Sequence, residues 1–136
     1  MNRYPSRFVK LDKIKRNAYI LNVYDSLSFD IDIFFDENDA ELISNNTVLS
    51  SDYEYLDENN ELKSGKSYRF RLFGLKCNNS EMHDCIRTLF HRHPLVEIEI
   101  IAIDVYSRFL GNIQCNNLGD LGEYLQINYP EIFEMY

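Results

Sequence analysis

The sequence lacks several features that would place it in familiar protein classes. Its longest apolar runs are far shorter than the roughly 20 residues that a membrane-spanning helix needs. The N-terminal residues 1–5 do not begin an apolar segment of the signal-peptide kind, so we expect an intracellular protein with no membrane attachment. The 5 glycines are scattered and form no phosphate-binding glycine loop.

Cysteine and basic residues are also scarce. The three cysteines, Cys77, Cys85 and Cys115, are an odd number, which fits reduced thiols in a reducing compartment. The chain has 14 Lys and Arg against 22 Asp and Glu, a formal net charge of -8. Because nucleic-acid affinity comes largely from neutralising phosphates, this balance argues against broad, tight nucleic-acid binding and leaves room for a small local site.

The 136 residues are instead rich in apolar and aromatic side chains. They are 45% hydrophobic, with 10 Tyr and 9 Phe, which predicts a single globular domain with a substantial core. Basic residues concentrate in residues 1–17, which we interpret as an N-terminal arm, in the first instance a solvated tail and alternatively a phosphate-backbone contact. Residues 36–66 are acidic and rich in Asn and Ser, and we interpret them as an insertion with some structure of its own.

Hydrophobic periodicity predicts a mainly β (α+β) domain. Residues 28–34 alternate strictly, so Asp30 and Asp32 are expected to face water on the edge of a hairpin whose first strand covers 18–24. The other predicted elements are strands over 68–75, 96–103 and 109–115, helices opening at Ser80 and over 118–127, and a short helix over 40–44. Five strands, with a helix between the third and the fourth, suit a small Greek-key barrel.

Two segments, residues 68–79 and 104–111, carry the candidate site. Each places an arginine, Arg71 or Arg108, where a predicted strand meets a loop among apolar residues. A guanidinium in that position suits bidentate contact with phosphate or carboxylate. Closing an internal ion pair is the alternative, and the residue types alone favour neither interpretation.

These segments resemble motifs of the staphylococcal-nuclease (thermonuclease-like) family. Residues 71–79, Arg-Leu-Phe-Gly-Leu-Lys-Cys-Asn-Asn, resemble that family's Arg-Leu-x-Gly-Ile-Asp-Cys-Pro-Glu. Residues 104–111, Asp-Val-Tyr-Ser-Arg-Phe-Leu-Gly, are similar to its Asp-x-Tyr-Gly-Arg-x-Leu-Gly, and residues 23–29 resemble its Val-x-Asp-Gly-Asp-Thr-Leu-x-Leu hairpin. The resemblance implies a five-stranded barrel of the oligonucleotide/oligosaccharide-binding (OB) type with two or three added helices.

The resemblance also implies roles for particular residues, because members of that family cleave phosphodiesters with one Ca2+. Asp25 matches the first metal-binding aspartate, and Arg71 and Arg108 match the two arginines that bind the phosphate. An ungapped match puts Lys76 at the second metal-binding aspartate and Asn79 at the glutamate that acts on the attacking water.

Both substitutions oppose the family's chemistry. The Lys76 ammonium repels Ca2+, and the Asn79 amide does not accept a proton from water at neutral pH. If two residues are inserted in the loop instead, Asn78 takes the metal-ligand place and Glu81 takes the place of the catalytic glutamate. Cys77 and the nearby histidines match no paired-ligand spacing for zinc.

The main expectation is therefore a catalytically degenerate nuclease-like domain that needs no cofactor. It would serve as a binding or structural module for a protein partner or for an anion such as phosphate, held by Arg71, Arg108, Lys76 and Tyr106. One alternative is an active Ca2+-dependent phosphodiesterase acting on single-stranded nucleic acid with Asp25, Arg71, Arg108 and Glu81. Another is a self-assembling structural protein, for instance of a virus particle.

Overall fold

The computed structural model describes residues 9–45, 48–77 and 82–135. The strands are β1 (Val9–Val23), β2 (Ser28–Ile33), β3 (Ser51–Leu56), β4 (Leu62–Leu72), β5 (Leu75–Cys77), β6 (Leu95–Ile103), β7 (Phe109–Cys115), β8 (Gly119–Asp120) and β9 (Phe133–Met135). The helices are α1 (Ala40–Asn45), α2 (His83–Arg92) and α3 (Leu121–Asn128), and a 3-10 turn at Glu37–Asp39 precedes α1. The prediction of a mainly β chain is thus confirmed.

Part of the main sheet curls into a ring. Seven strands pair in the order β3-β4-β2-β1-β6-β7-β8, and neighbouring strands in this order run antiparallel. The ring closes because β4 also pairs with β7, in parallel, from Phe70 opposite Phe109 to Leu72 opposite Gly111. Five strands, β1, β2, β4, β6 and β7, therefore surround the core, while β5 and β9 pair with each other beside it.

Alternating side chains fill this ring. In β6, Val96, Ile98 and Ile100 are buried while Leu95 and Glu97 are exposed, which is the pattern of a strand with one face on a core. The largest fully buried side chains are Phe29, Phe70, Phe109, Phe133, Leu27, Ile31, Ile98, Ile100, Ile103, Ile113, Leu121 and Leu125. Each buried side chain of this size stabilises the fold by about 1.5–3 kcal/mol through the hydrophobic effect.

Helix α2 packs against the core of the ring. Ile86 and Phe90 are its buried residues, and the Phe90 ring meets Phe29 edge to face at 5.4 Å between centroids. His83 at the start of the helix is within 2.7 Å of the Val23 carbonyl oxygen, measured from its ring Nε2. No helix among the described residues has both the length and the apolar character to span a bilayer.

The structure corrects several boundaries. Residues 9–17, expected in a solvated basic arm, belong to β1 and pair with the neighbouring strand β6. Residues 36–66, interpreted as an insertion with some structure of its own, contain the 3-10 turn, α1, β3 and the first half of β4, so β4 begins before the predicted strand over 68–75. The sheet has seven strands instead of five, because β3 and the very short β8 extend it beyond the ring. The predicted helix start at Ser80 lies outside the described residues.

The second strand is also not an edge. β2 lies between β1 and β4, and the outward carboxylates of Asp30 and Asp32 are both engaged there. Arg69 donates from Nε to Asp30 at 2.8 Å, and the Tyr53 hydroxyl donates to Asp32. Strict alternation identified the outward face, but it carries no information on whether a neighbouring strand covers the strand edge.

Candidate functional site

Two arginines project from the outer face of β4. Arg69 and Arg71 alternate with Tyr68, Phe70 and Leu72, which are buried in the core. Because successive side chains of a strand point to opposite faces, both guanidinium groups lie outside the ring. Burial raises the pKa of Tyr68 above its ordinary value, so its phenol stays neutral beneath them.

Arg71 sits where the ring closes. It pairs with Ser28 of β2 on one side and with Leu110 of β7 on the other. Its Nη1 donates to the Ser28 hydroxyl at 3.3 Å, and none of the ion pairs in the described part of the chain involves it. A half-buried guanidinium with a hydroxyl neighbour and no described carboxylate partner is suited to accept an anion.

Arg108 is held internally. Its Nε donates to Asp104 Oδ2 at 2.6 Å, and Asp104 Oδ1 accepts the backbone N–H groups of Tyr106 at 2.9 Å and of Arg108 at 3.0 Å. Asp104 is buried, so this carboxylate closes the turn between β6 and β7 with three hydrogen bonds. Within that turn, Ser107 adopts a φ of 62°, in the left-handed region. The ion-pair interpretation therefore describes Arg108, while the anion-site interpretation still fits Arg71.

A cleft of about 320 Å3 lies beside this turn, and Arg71 does not line it. Its charged and aromatic lining residues are Asp30, Arg69, Tyr106 and Arg108, and the rest are Leu49, Ser50, Ser51, Ser67 and Ser107. Tyr106 is 73% exposed, and its ring centre is 5.3 Å from the guanidinium carbon of Arg108. Both arginines of the cleft have carboxylate partners, so its charge is locally balanced.

Lys76 has a carboxylate partner of its own. It is exposed on β5, where it pairs with Glu134 of β9, and its Nζ is 3.2 Å from Glu134 Oε2. The structure therefore assigns Lys76 to an exposed strand-to-strand ion pair. The sequence expectation that Lys76 joins Arg71 and Arg108 around one anion has no support in this geometry.

Asp25 lies in the turn that joins β1 to β2. Its Oδ1 accepts the backbone N–H of Leu27 at 2.9 Å, and its backbone carbonyl accepts the N–H of Ser28 at 3.4 Å. The same Ser28 receives the Arg71 hydrogen bond, so Asp25 and Arg71 belong to one region of the surface. Asn78, Asn79 and Glu81 lie outside the described residues. Within the described ranges, no group of three His, Cys, Asp or Glu side chains is close enough to hold a metal ion.

The sequence prediction missed Arg69 and its partners. Arg69 donates to Asp30 at 2.8 Å, and its guanidinium carbon is 3.9 Å from the ring centre of Tyr24, a cation–π contact. Alternation in the sequence could have indicated this contact. Arg69 and Arg71 are two residues apart and so point to the same face of β4, and Asp30 is on the outward face of β2. What the sequence did not give was the pairing of these two strands.

Comparison with known proteins adds no assignment. No protein-family model matches the chain, and no curated protein matches its sequence.

Proposed function

We propose that this chain is a catalytically degenerate nuclease-like domain that binds a phosphate group at Arg71. The observation that carries the proposal is the contrast among the three arginines beside the ring closure. Arg69 and Arg108 each donate to a carboxylate, whereas the described partner of Arg71 is the neutral hydroxyl of Ser28. A half-buried guanidinium that has no carboxylate partner among the described residues favours an exogenous anion.

The proposed fold is an OB-type barrel. A five-stranded, partly open Greek-key barrel is the architecture of that fold, and β1, β2, β4, β6 and β7 are connected in a compatible way. Two backbone positions support the family resemblance. Gly74 has a φ of 82° at a glycine of the first motif, and Ser107 has a φ of 62° where the second motif has glycine. Both φ values lie in the region that glycine adopts most readily, which is compatible with a glycine at each of these two motif positions.

We propose that the domain does not hydrolyse phosphodiesters, because too few of its described carboxylates match the metal site of the family. Family-like chemistry needs several oxygen ligands around Ca2+ and a group that activates water. Asp25 uses one carboxylate oxygen to hold its own turn, and the residue at the second aspartate position, Lys76, is a cation paired with Glu134. Among the described residues, Asp25 is left as the sole matching acid.

The second candidate is a Ca2+-dependent phosphodiesterase. It is favoured by the nearness of Asp25 and Arg71, the matches of a metal ligand and a phosphate ligand, since both form a hydrogen bond with Ser28. It requires the loop that contains Asn78 and Glu81 to supply the remaining oxygen ligands and the base.

A binding experiment and a cleavage experiment separate these two functions. Inorganic phosphate is titrated into the protein by calorimetry, and the same protein is incubated with single-stranded DNA in Ca2+ or in EDTA. Arg71→Ala is compared with Arg87→Ala, which removes the same charge from an exposed helical ion pair with Asp84. We expect Arg71→Ala to weaken phosphate binding at least about tenfold and Arg87→Ala to change it less than about twofold.

Two results would reject parts of the proposal. Equal phosphate binding by Arg71→Ala and by the unmodified protein would show that Arg71 does not form an anion site. Calcium-dependent cleavage that disappears in Arg71→Ala would reject the degenerate-domain proposal in favour of the phosphodiesterase.

A further inference from the structure

Strand β3 forms an open edge of the main sheet. It pairs with β4 from Ser51 opposite Ser67 to Leu56 opposite Leu62, and with no other strand among the described residues. A strand of this kind presents every second N–H and C=O to the outside, which is a template for another extended chain. The β3–β4 hairpin also extends beyond the ring, because β2 pairs with β4 only from Tyr68 onward.

The two faces of β3 differ in chemistry. Tyr53 and Tyr55 lie on one face with ring centroids 5.8 Å apart, while Asp52 and Glu54 alternate with them on the other. Near the hairpin tip, Leu56 and Leu62 face each other across the strands and each is 63% exposed. The edge therefore combines an aromatic side, an acidic side and an apolar end.

The aromatic side is fixed in place. The Tyr53 hydroxyl donates to Asp32, and burial together with this contact raises the pKa of Tyr53 well above its ordinary value. The ring also lies over Gly65, where an added Cβ would come within 2.6 Å of it. The Tyr53 side chain thus occupies the space that a side chain at position 65 would need, and its hydrogen bond to Asp32 attaches the start of β3 to β2.

The acidic side carries a net negative charge. Asp52 pairs with Lys66 across the hairpin, whereas Glu54 lies opposite Ser64 and forms no ion pair within the described ranges. Around the connecting turn, the acids Asp57, Glu58 and Glu61 outnumber Lys63, so an incoming strand meets a negative field.

We propose that the open edge of β3 binds an extended, basic segment of a partner protein by strand addition. The matching segment alternates Lys or Arg, opposite Asp52 and Glu54, with Val, Ile or an aromatic residue, opposite Tyr53 and Tyr55. Main-chain hydrogen bonds supply affinity, and the two faces of β3 supply selectivity. The site is distinct from the Arg71 site and does not depend on it.

A second copy of the chain fits this edge poorly. An antiparallel pair with Tyr53 opposite Tyr53 places Asp52 opposite Glu54 of the second copy. Shifting the register to set Tyr53 opposite Tyr55 places the two Glu54 side chains opposite each other. Like charges directly opposite each other destabilise a strand pair, so the acidic side disfavours self-pairing.

The test uses two synthetic peptides of equal composition and charge. Capped, fluorescein-labelled Lys-Val-Lys-Val-Lys-Val separates basic and apolar side chains onto two faces, and Lys-Lys-Lys-Val-Val-Val does not. Fluorescence anisotropy measures binding to the full chain, and hydrogen exchange with mass spectrometry follows the amides of residues 51–56. We expect the alternating peptide to bind at least about fivefold tighter and to slow exchange across β3.

A charge reversal on the edge provides the matched variant. Glu54→Lys should weaken binding of the alternating peptide about threefold to tenfold relative to Glu131→Lys, which makes the same charge change at an exposed position far from β3 in the sequence. Equal binding of both peptides, an equal effect of the two variants, or no protection of residues 51–56 overturns the proposal. Concentration-dependent dimerisation that Glu54→Lys alters would assign the edge to a second copy and overturn it as well.

Discussion

Arg16 and Asp39 form a bidentate ion pair that ties the acidic segment to the ring. Arg16 Nε donates to Asp39 Oδ2 at 2.9 Å and Nη2 donates to Oδ1 at 2.6 Å. Asp39 is only 4% exposed, and its Oδ2 also accepts the backbone N–H of Asp36, which completes a capping box for the 3-10 turn. A basic residue expected in a solvated arm therefore anchors part of the segment expected to be an insertion.

Replacing Arg16 by alanine should destabilise the fold. The Asp39 carboxylate would remain buried without its cation, and a lost hydrogen-bond partner of a charged group costs about 1.5–3 kcal/mol. Urea unfolding followed by circular dichroism measures the change. Arg87→Ala serves as the control, since its ion pair with Asp84 is exposed and we expect a change of less than about 0.5 kcal/mol. Equal stability of the two variants would contradict the role of Arg16.

The same pair predicts a pH dependence of stability. The hydrogen bond from Arg16 lowers the pKa of Asp39 below its ordinary value of 3.8. The unfolded chain then binds this proton at a higher pH than the native chain does. The stabilisation is present above the ordinary pKa and is lost as the pH falls through it toward the native pKa. Urea midpoints from pH 6 to pH 3 should fall less steeply in Arg16→Ala than in the unmodified chain, and parallel profiles would reject the assignment.

Replacing Arg108 by alanine should lower the free energy of unfolding more than replacing Arg71 does. Arg108→Ala leaves the buried Asp104 without its side-chain donor, so we expect a loss of about 1.5–3 kcal/mol. Arg71→Ala removes a 3.3 Å contact with the Ser28 hydroxyl, the side-chain hydrogen bond that Arg71 makes within the described ranges, and should cost less than about 1 kcal/mol. Chemical unfolding of both variants checks the difference, and the opposite order would mean that Arg71 has the structural role.

A glycine in β7 should tolerate no side chain. A Cβ at Gly111 would lie 1.8 Å from the backbone carbonyl oxygen of Glu99, and backbone atoms cannot rotate away. At Gly74, a Cβ meets no atom of the described residues within 4 Å, so the φ of 82° is what opposes alanine there, at about 1–2 kcal/mol. We expect Gly111→Ala to cost clearly more than Gly74→Ala in thermal unfolding. Equal melting temperatures would show that β6 and β7 can separate at this point without loss.

Thiol reactivity should distinguish two cysteines. Cys115 is buried, and burial raises the pKa of its thiol to about 11, whereas Cys85 is exposed. Because the thiolate is the reactive form, iodoacetamide at pH 8 should alkylate Cys85 at least about tenfold faster. Peptide mass spectrometry measures both rates, and in concentrated urea they should become similar. Similar rates in the native protein would indicate that the core around Cys115 opens readily.

Local patterns in the sequence were enough for most elements. The alternation around Ile98 and Ile100 and the apolar spacing of Ile86 and Phe90 correspond to a buried strand and to the inward face of a helix. Both patterns depend on side-chain periodicity alone, which follows from backbone geometry. The turn after Asp104 was also expected from its residues, although its hydrogen-bond network was not.

Long-range pairing was not available from the sequence. Arg16 was expected in a solvated arm because its partner, Asp39, is an acid in a different segment. The ion pair of Lys76 with Glu134 was not foreseen for the same reason, since Glu134 is near Lys76 only through the pairing of β5 with β9. Charge and composition indicate which residues lie on the protein surface, but the order of the strands determines which of those residues form ion pairs.

The parallel contact between β4 and β7 also sets an order of events for a chain leaving the ribosome. Phe70 to Leu72 emerge well before Phe109 to Gly111, with α2 and β6 between them, so the barrel has a gap until the later strand is synthesised. During that interval the edge of β4 that later pairs with β7 has no partner, and an unpaired strand edge is a site where another chain can add.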